Sequence, residues 1–480
     1  MYSLRRLVIL PILFCILSDA TSQGFQSITH LTPLAAAKTT GEKPQSKVWN
    51  YAGKSWAVFP VTTGTYIWRL DGTSWTNVLK ISSSTSVEAD CKVLGNVCHI
   101  FLWRSGKNAS QLISVEYKQA ANTYELWSQR TSTAYINLDS GAETGTIDID
   151  GAGRMWLASD GVDDIRLRWS DSPYDTWSTP VIVGTGVTDD DICAIIALPV
   201  QGQMGILWSD QNARRFGFKT HTNGSSPSTW SADENPASQS SLNIGKGMGD
   251  DHLNLAIASD GTLYCAVKTS YDTPGYPRLA LLKRSPAGSW DNLYEVSDSG
   301  TRGIVILNEA AGKIKVVYTS QEDGGEILYR ESPTSNISFS PALTLINGKY
   351  NNPTSSKNNY DPDVVILASD AANIVGILGS DFPSVTVGNS TPPFGEHLTG
   401  FFPNPVLDLI TLDLQGETGT GLSISILDRL GRIYYRTTTN IKRQTIDIDI
   451  DVRNLHLSSG LHLLIIESER YSRVFKFIKK

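Results

Sequence analysis

The chain has 480 residues, 40% of them hydrophobic and 19% charged, with a formal net charge of −7. Acidity this mild and dispersed excludes the basic stripe that a nucleic-acid binder needs, and the length exceeds an ordinary single domain unless the fold is a large repeat or barrel. Its 40 glycines, 12 tryptophans and 18 tyrosines, with no long helix-period run, favour an all-β chain of turns and aromatic-rich strands.

Residues 1–22 carry the pattern of a secretory signal peptide. Arg5 and Arg6 form its positive end, residues 7–17 an apolar core too short to span a bilayer, and Ala20 and Ser22 the small residues for cleavage. No other stretch is apolar enough for a transmembrane segment, so the mature chain is expected to be secreted, extracellular or attached to the outer cell surface. Four cysteines then remain. Cys91 and Cys98 flank the Gly95-Asn96 turn and bridge only if the loop is wider than a tight hairpin. Cys193 and Cys265 sit in apolar runs, where buried thiols are common.

From about residue 45 a unit recurs at intervals of 42 to 61 residues between turn residues. An apolar run, a turn glycine and a second apolar run align at Gly53, Gly95, Gly153, Gly202, Gly261 and Gly312, with Asn373 in the seventh place. A second series of polar turns ends in Trp75, Trp127, Trp177, Trp230, Trp290 and Phe339. One such sheet is apolar on both faces and cannot stand alone, whereas blades stacked around an axis cover each other and protect their edges. The expected fold is a seven-bladed β-propeller over residues 23–382, with the lead-in strand at 25–34 completing the last blade. Residues 383–399 read as a linker by composition, and 400–480 alternate like the half-buried strands of a small β-sandwich.

That last unit resembles the C-terminal sorting domain of the type IX secretion system of the Bacteroidetes group. The resemblance rests on Pro403-Asn404-Pro405, Asp428 with Gly431, the Ser459-Gly460 step and the lysine-rich end, with His462 where a tyrosine is usual. It implies the type IX secretion machinery as a partner, and release or attachment at the cell surface. More loosely, the propeller resembles the sialidase-like superfamily with its BNR or Asp-box turns. The residues are Ser170-Asp171-Ser172-Pro173-Tyr174-Asp175-Thr176-Trp177 and Asp71-Gly72-Thr73-Ser74-Trp75. A sialidase also needs three arginines and a Tyr-Glu pair, of which only Arg302 and Arg104 find places, so sialidase activity is not expected.

Ligands of propellers bind where the loops enter the first strands. The entries here supply Lys47, Asp90, Lys92, Asp190, Asp251, His252, Arg302 and Tyr360. Beside a carboxylate, His252 suits proton transfer near neutral pH, with Asp251 tuning it and Tyr360 assisting. Arg302, Lys92, Asp90, Asp190 and Lys47 would bind substrate, Arg302 by gripping a carboxylate with two parallel bonds. His, Tyr, Arg and Lys together match by residue type the related propellers that cleave uronic-acid polysaccharides. Two readings follow: a secreted polysaccharide lyase or glycoside hydrolase acting on acidic polysaccharide, or a non-catalytic propeller binding a surface glycan or protein. No cofactor is expected; the run Asp189-Asp190-Asp191 offers oxygens for a structural calcium ion but lacks the spacing of a dedicated loop.

Overall fold

The computed structural model describes residues 24–41, 44–104, 109–139, 141–237, 244–381, 398–402, 406–415, 421–428, 432–440, 445–458, 460–467 and 472–479. The expected signal peptide and most of the expected linker lie outside the described residues. Every regular element described is a β-strand, and among the described residues no helix is long and apolar enough to cross a membrane.

Residues 24–381 form seven antiparallel units. Six begin with the inner strands Val48–Tyr51, Glu88–Leu94, Gly145–Ile149, Cys193–Leu198, Leu253–Ile257 and Thr301–Asn308, each paired to the next strand in sequence. Because side chains alternate across a strand, each sheet presents apolar residues to both neighbours. In blade 2, Ile100 and Leu102 meet Trp49 and Trp56 of blade 1, while Phe101 and Trp103 meet Ile147 and Leu157 of blade 3. The pattern continues round the ring: Trp156 against Ile206, Phe218 against Cys265, Tyr264 against Val316, Val317 against Ile366, and finally Leu367 against Phe59. Among the described residues these clusters close a cycle. Each large side chain so buried contributes about 1.5–3 kcal/mol of transfer free energy. Trp75, Trp127, Trp177, Trp230, Trp290 and Phe339 all lie against these inter-blade clusters, so the second sequence series marks where blades are sealed together.

The six aligned glycines adopt φ between +60° and +88°, the left-handed region that a tight turn from first to second strand requires. The seventh place breaks the pattern. Strand Leu343–Thr354 pairs with blade 6 through Leu343 and Ile346, then with strand Asp363–Ser369 through Asn351 and Thr354. Its far end therefore supplies the inner strand of blade 7, continued by a parallel bridge between Ser356 and Val48 of blade 1. Asp363–Ser369 is consequently the second strand, not the first, and Asn373 opens the third. The N-terminal strand Ser27–His30 pairs with Asn373–Ser380 and forms the outer strand, closing the ring between the two ends of the unit.

This register moves Tyr360 away from the mouth at which it was expected. The Tyr360 amide bonds to the carbonyl of Leu307, near the far end of the blade 6 inner strand. The polar residues of 355–359 line the axial cavity and so give no apolar signal, which is why the sequence pattern misplaced this blade.

The four cysteines are free and buried, so no bridge joins Cys91 to Cys98. Their strands pair Cys91 with Ile100 and Val93 with Cys98, which is the tight-hairpin register. The C-terminal unit has two sheets, of three and four strands, around Ile410, Ile424, Ile426, Leu464 and Phe477. His462 is buried there and stacks on Phe477 at 5.6 Å, filling an aromatic position. Pro403-Asn404-Pro405, Gly431 and Ser459 lie outside the described residues.

Candidate functional site

On the face where inner strands begin, a cluster of polar side chains lies between blades 5 and 6. Asp250, Asp251 and His252 lead into the inner strand of blade 5, and Lys268 ends that blade's second strand. Thr301 and Arg302 open blade 6, and Glu322 sits on the turn after strand Lys313–Thr319. Gly300 at φ +100° lets the entry segment lie on Tyr318, where an added Cβ would stand 2.6 Å from the ring. Arg302 itself has φ +54°, beside a register shift between Thr301 and Ile304.

The side chains form a nearly closed circuit. His252 Nδ1 hydrogen-bonds to the Asp251 carboxylate, and its Nε2 lies 3.3 Å from Thr301 Oγ1. The Lys268 ammonium pairs with Glu322 and stands 3.2 Å from Asp250 Oδ1 and 4.0 Å from Asp251. Ser270 donates to Asp250 at 2.8 Å, and Arg302 Nη1 donates to the Glu322 carbonyl at 3.0 Å. Burial pushes the Glu322 carboxyl up, but bonding and charge from Lys268, with Thr301 and His252, hold it below the usual carboxylate range.

Asp251, His252 and Thr301 stand in the order of an acid–base–hydroxyl relay. Exposure decides what that order can do. Thr301 exposes none of its surface and His252 only 2%, whereas the Glu322 side chain is 54% exposed. A reacting carbon cannot reach Thr301, and both nitrogens of His252 are occupied within the wall between two blades. The ligand atoms of Asp250, Asp251 and His252 also lie within 4.8 Å of one another, a spacing that suits a cation. Here the Lys268 ammonium supplies the positive charge beside the two carboxylates.

Of the eight residues singled out in the sequence, Asp251, His252 and Arg302 come together. The other five are elsewhere. Asp90 is fully buried and accepts from the amides of Ser46 at 2.9 Å and Ile147 at 2.7 Å and from Lys357 Nζ at 2.5 Å. Lys92 pairs with Asp148 at 2.5 Å, and Asp148 in turn accepts from the Ala197 amide at 3.0 Å. Thr146 accepts from Ile195 and Asn254 from Val305 in the same way, both at 3.1 Å. The cause is general: an inner strand has a neighbouring strand on one side only, and its other amides need acceptors. Polar residues of the blade 2, 3 and 5 inner strands therefore staple them to their neighbours. Lys47 is buried, with Nζ 3.3 Å from Gln45 Oε1 and from the Ala89 carbonyl. Asp190 is exposed on the rim and accepts from Gln211 at 3.3 Å.

Tyr360 is buried between blades 6 and 7, its hydroxyl 2.7 Å from both Lys315 Nζ and Asp381 Oδ2. Along the axis a cavity of about 210 Å³ is lined by Lys92, Asp148, Asn254, Lys357 and Asn359 among others. Sequence reading missed Glu322 and Lys357. The turn Gln321-Glu322-Asp323-Gly324 holds the same place in blade 6 as the Lys268 loop in blade 5, and that equivalence was the available signal. Lys357 lay in the polar stretch that hid the seventh inner strand.

Residues 400–480 match the family described as the secretion system C-terminal sorting domain, which indicates secretion or attachment at the outer surface. No curated protein matches the chain by sequence. Among solved structures, a fungal alcohol oxidase of the AA5 family in complex with copper is similar at 11% identity, over 95% of this chain and 99% of its own, with a TM-score of 0.46. Polysaccharide lyase Uly1 is similar at 8% identity over 71% and 90%, with a TM-score of 0.42. An α-L-arabinanase of Penicillium chrysogenum complexed with arabinobiose is similar at 9% identity over 65% and 100%, with a TM-score of 0.40. Likenesses of this degree carry no inference about what the present chain binds or cleaves.

Proposed function

We propose that this exported propeller holds an acidic glycan at its mouth between blades 5 and 6 and leaves it intact. One observation carries the reading: the proton-transfer groups are closed off while the polar rim beside them is open. His252 and Thr301 lie within the wall, but Glu322 is exposed and Arg302 is partly so. A guanidinium fork can grip a uronate carboxylate, and an adjacent carboxylate can accept sugar hydroxyls. Tyr360, the group expected to assist His252, stands at the other end of the disc.

The test is to incubate the mature full-length chain with pectate, alginate and other acidic polysaccharides. Retarded migration in affinity gels, weakened by Arg302→Ala, with neither new reducing ends nor the ultraviolet absorbance of an unsaturated uronide, is the expected result. New ends that disappear in His252→Ala would overturn it in favour of a hydrolase or lyase.

A further inference from the structure

Blade 4 departs from its neighbours. It has the strands Cys193–Leu198, Gln203–Asp210 and Arg215–Thr222, and among the described residues its fourth position holds no strand, but a segment tied to the third by the Phe218–Glu234 bridge and a bond from the Ser231 amide to the Thr220 carbonyl. Blade 3 keeps an outer strand, Val181–Thr185. A notch lies on the shoulder of the disc, a cavity of about 340 Å³ between that outer strand and the second and third strands of blade 4, with Asp233 in its lining. We propose that this notch is a second saccharide subsite, selective for an uncharged sugar residue; the inference rests on the reading of the chain as glycan-binding.

The notch is built around one indole. Trp208 lies flat in a slot made by two glycines: a Cβ on Gly217 would come within 2.1 Å of the ring and one on Gly184 within 3.4 Å. Any other residue at 217 would displace it. Lys219 reaches across, donating to the Val183 carbonyl at 2.7 Å with Nζ 5.9 Å from the indole centroid. It makes no ion pair among the described residues. Arg215 pairs with Asp233 at 2.6 Å and donates to Asn235 at 2.9 Å. Asp210, whose Oδ1 accepts from the Ala213 amide at 2.8 Å, completes the lining.

Two cations and two carboxylates thus face one small space. Their formal charges cancel, so the notch carries no net charge with which to favour an anion. It does offer donors and acceptors side by side, and a sugar hydroxyl both gives and accepts a hydrogen bond. The volume lies at the small end of the range for ligand pockets, matching a single ring of an oligosaccharide rather than a long segment. Exposed Ile182 adds an aliphatic edge for the apolar face of such a ring.

The experiment is isothermal titration of the mature full-length chain with cellohexaose, xylohexaose and laminarihexaose, and in parallel with a galacturonate hexamer. At least one neutral hexamer should bind. Lys219→Ala and Asp233→Ala should each weaken it about tenfold, leaving galacturonate binding and the unfolding midpoint in place. Arg302→Ala should do the reverse. Should Asp233→Ala fail to fold, Asp233→Asn keeps the shape and removes the charge. The subsite is overturned if no neutral hexamer binds, or if folded Lys219 and Asp233 variants bind it as well as wild type. Absence of galacturonate binding, with neutral binding intact, would instead count against the mouth alone.

Discussion

Replacing Lys315 by methionine should unlock the ring where it closes. Lys315 exposes none of its side chain, and its ammonium lies 2.7 Å from Asp381, 2.9 Å from Glu331 and 2.7 Å from the Tyr360 hydroxyl. It also sits 4.5 Å from the centroid of Phe25. Blade 6 supplies Lys315 and Glu331, blade 7 supplies Tyr360 and Asp381, and Phe25 belongs to the N-terminal segment that leads into the outer strand of blade 7. Glu331 and Asp381 have side-chain exposures of 10% and 4%; removal of the cation leaves Glu331 its pair with Lys313 at 3.0 Å but leaves Asp381 with no cation among the described residues. Loss of one member of a buried ion pair costs about 3–5 kcal/mol, most of it the penalty on the stranded charge. Guanidinium unfolding of the mature chain, followed by tryptophan emission, should register a loss of that order. Hydrogen exchange should accelerate first over residues 25–31. Adding Asp381→Asn to Lys315→Met should restore part of the stability, because one stranded charge is gone. A loss below about 1 kcal/mol, the size expected of an exposed pair, would refute the claim that this network locks the closure.

Three further outcomes follow from the same geometry. Tyr360→Phe should cost about 1–3 kcal/mol for the lost hydroxyl bonds and leave polysaccharide retardation unchanged; loss of retardation at full stability would return Tyr360 to the binding site. Burial pushes the Asp160 carboxyl up to about 7, against the amide bonds from Glu143 and Thr144. The folded chain then holds a proton there that the unfolded chain has released, so this group's stabilising effect is full below about pH 4 and is lost as pH rises through about 7. Comparing wild type with Asp160→Asn across that window should show wild type losing stability relative to the variant as pH rises, and parallel profiles would refute the assignment. Finally, a thiol reagent should modify none of Cys91, Cys98, Cys193 and Cys265 in the native chain and all four in the denatured one, since they are buried and free and burial pushes the Cys98, Cys193 and Cys265 thiols up. A denatured count of two would reveal a bridge.

The candidate site was only partly legible in the sequence. Asp251, His252 and Arg302 were found because polar residues at the head of an apolar strand stand out, and these three do meet at one mouth. The same signal also picked out Asp90, Lys92 and Lys47, which hold inner strands together. A carboxylate that caps a neighbouring strand's amide and one that awaits a ligand look alike in sequence. What separates them is whether the next strand lies within hydrogen-bond reach, as Ile147 does for Asp90 at 2.7 Å.

The repeat, its turns and its sealing aromatics were written locally. Gly53 through Gly312 each answer a backbone requirement within one hairpin, and Trp75 to Phe339 each follow from a face that must be covered. Short-range physics of this kind survives in a one-dimensional reading. The seventh blade did not, because strand Leu343–Thr354 serves two sheets and its continuation to Asn359 faces the axis, without the apolar alternation that marks a strand. Nor did the exposure of His252 and Thr301, the circuit through Lys268 and Glu322, or the notch beside Trp208. Each depends on how two separate blades are placed against one another, and only ring closure decides that.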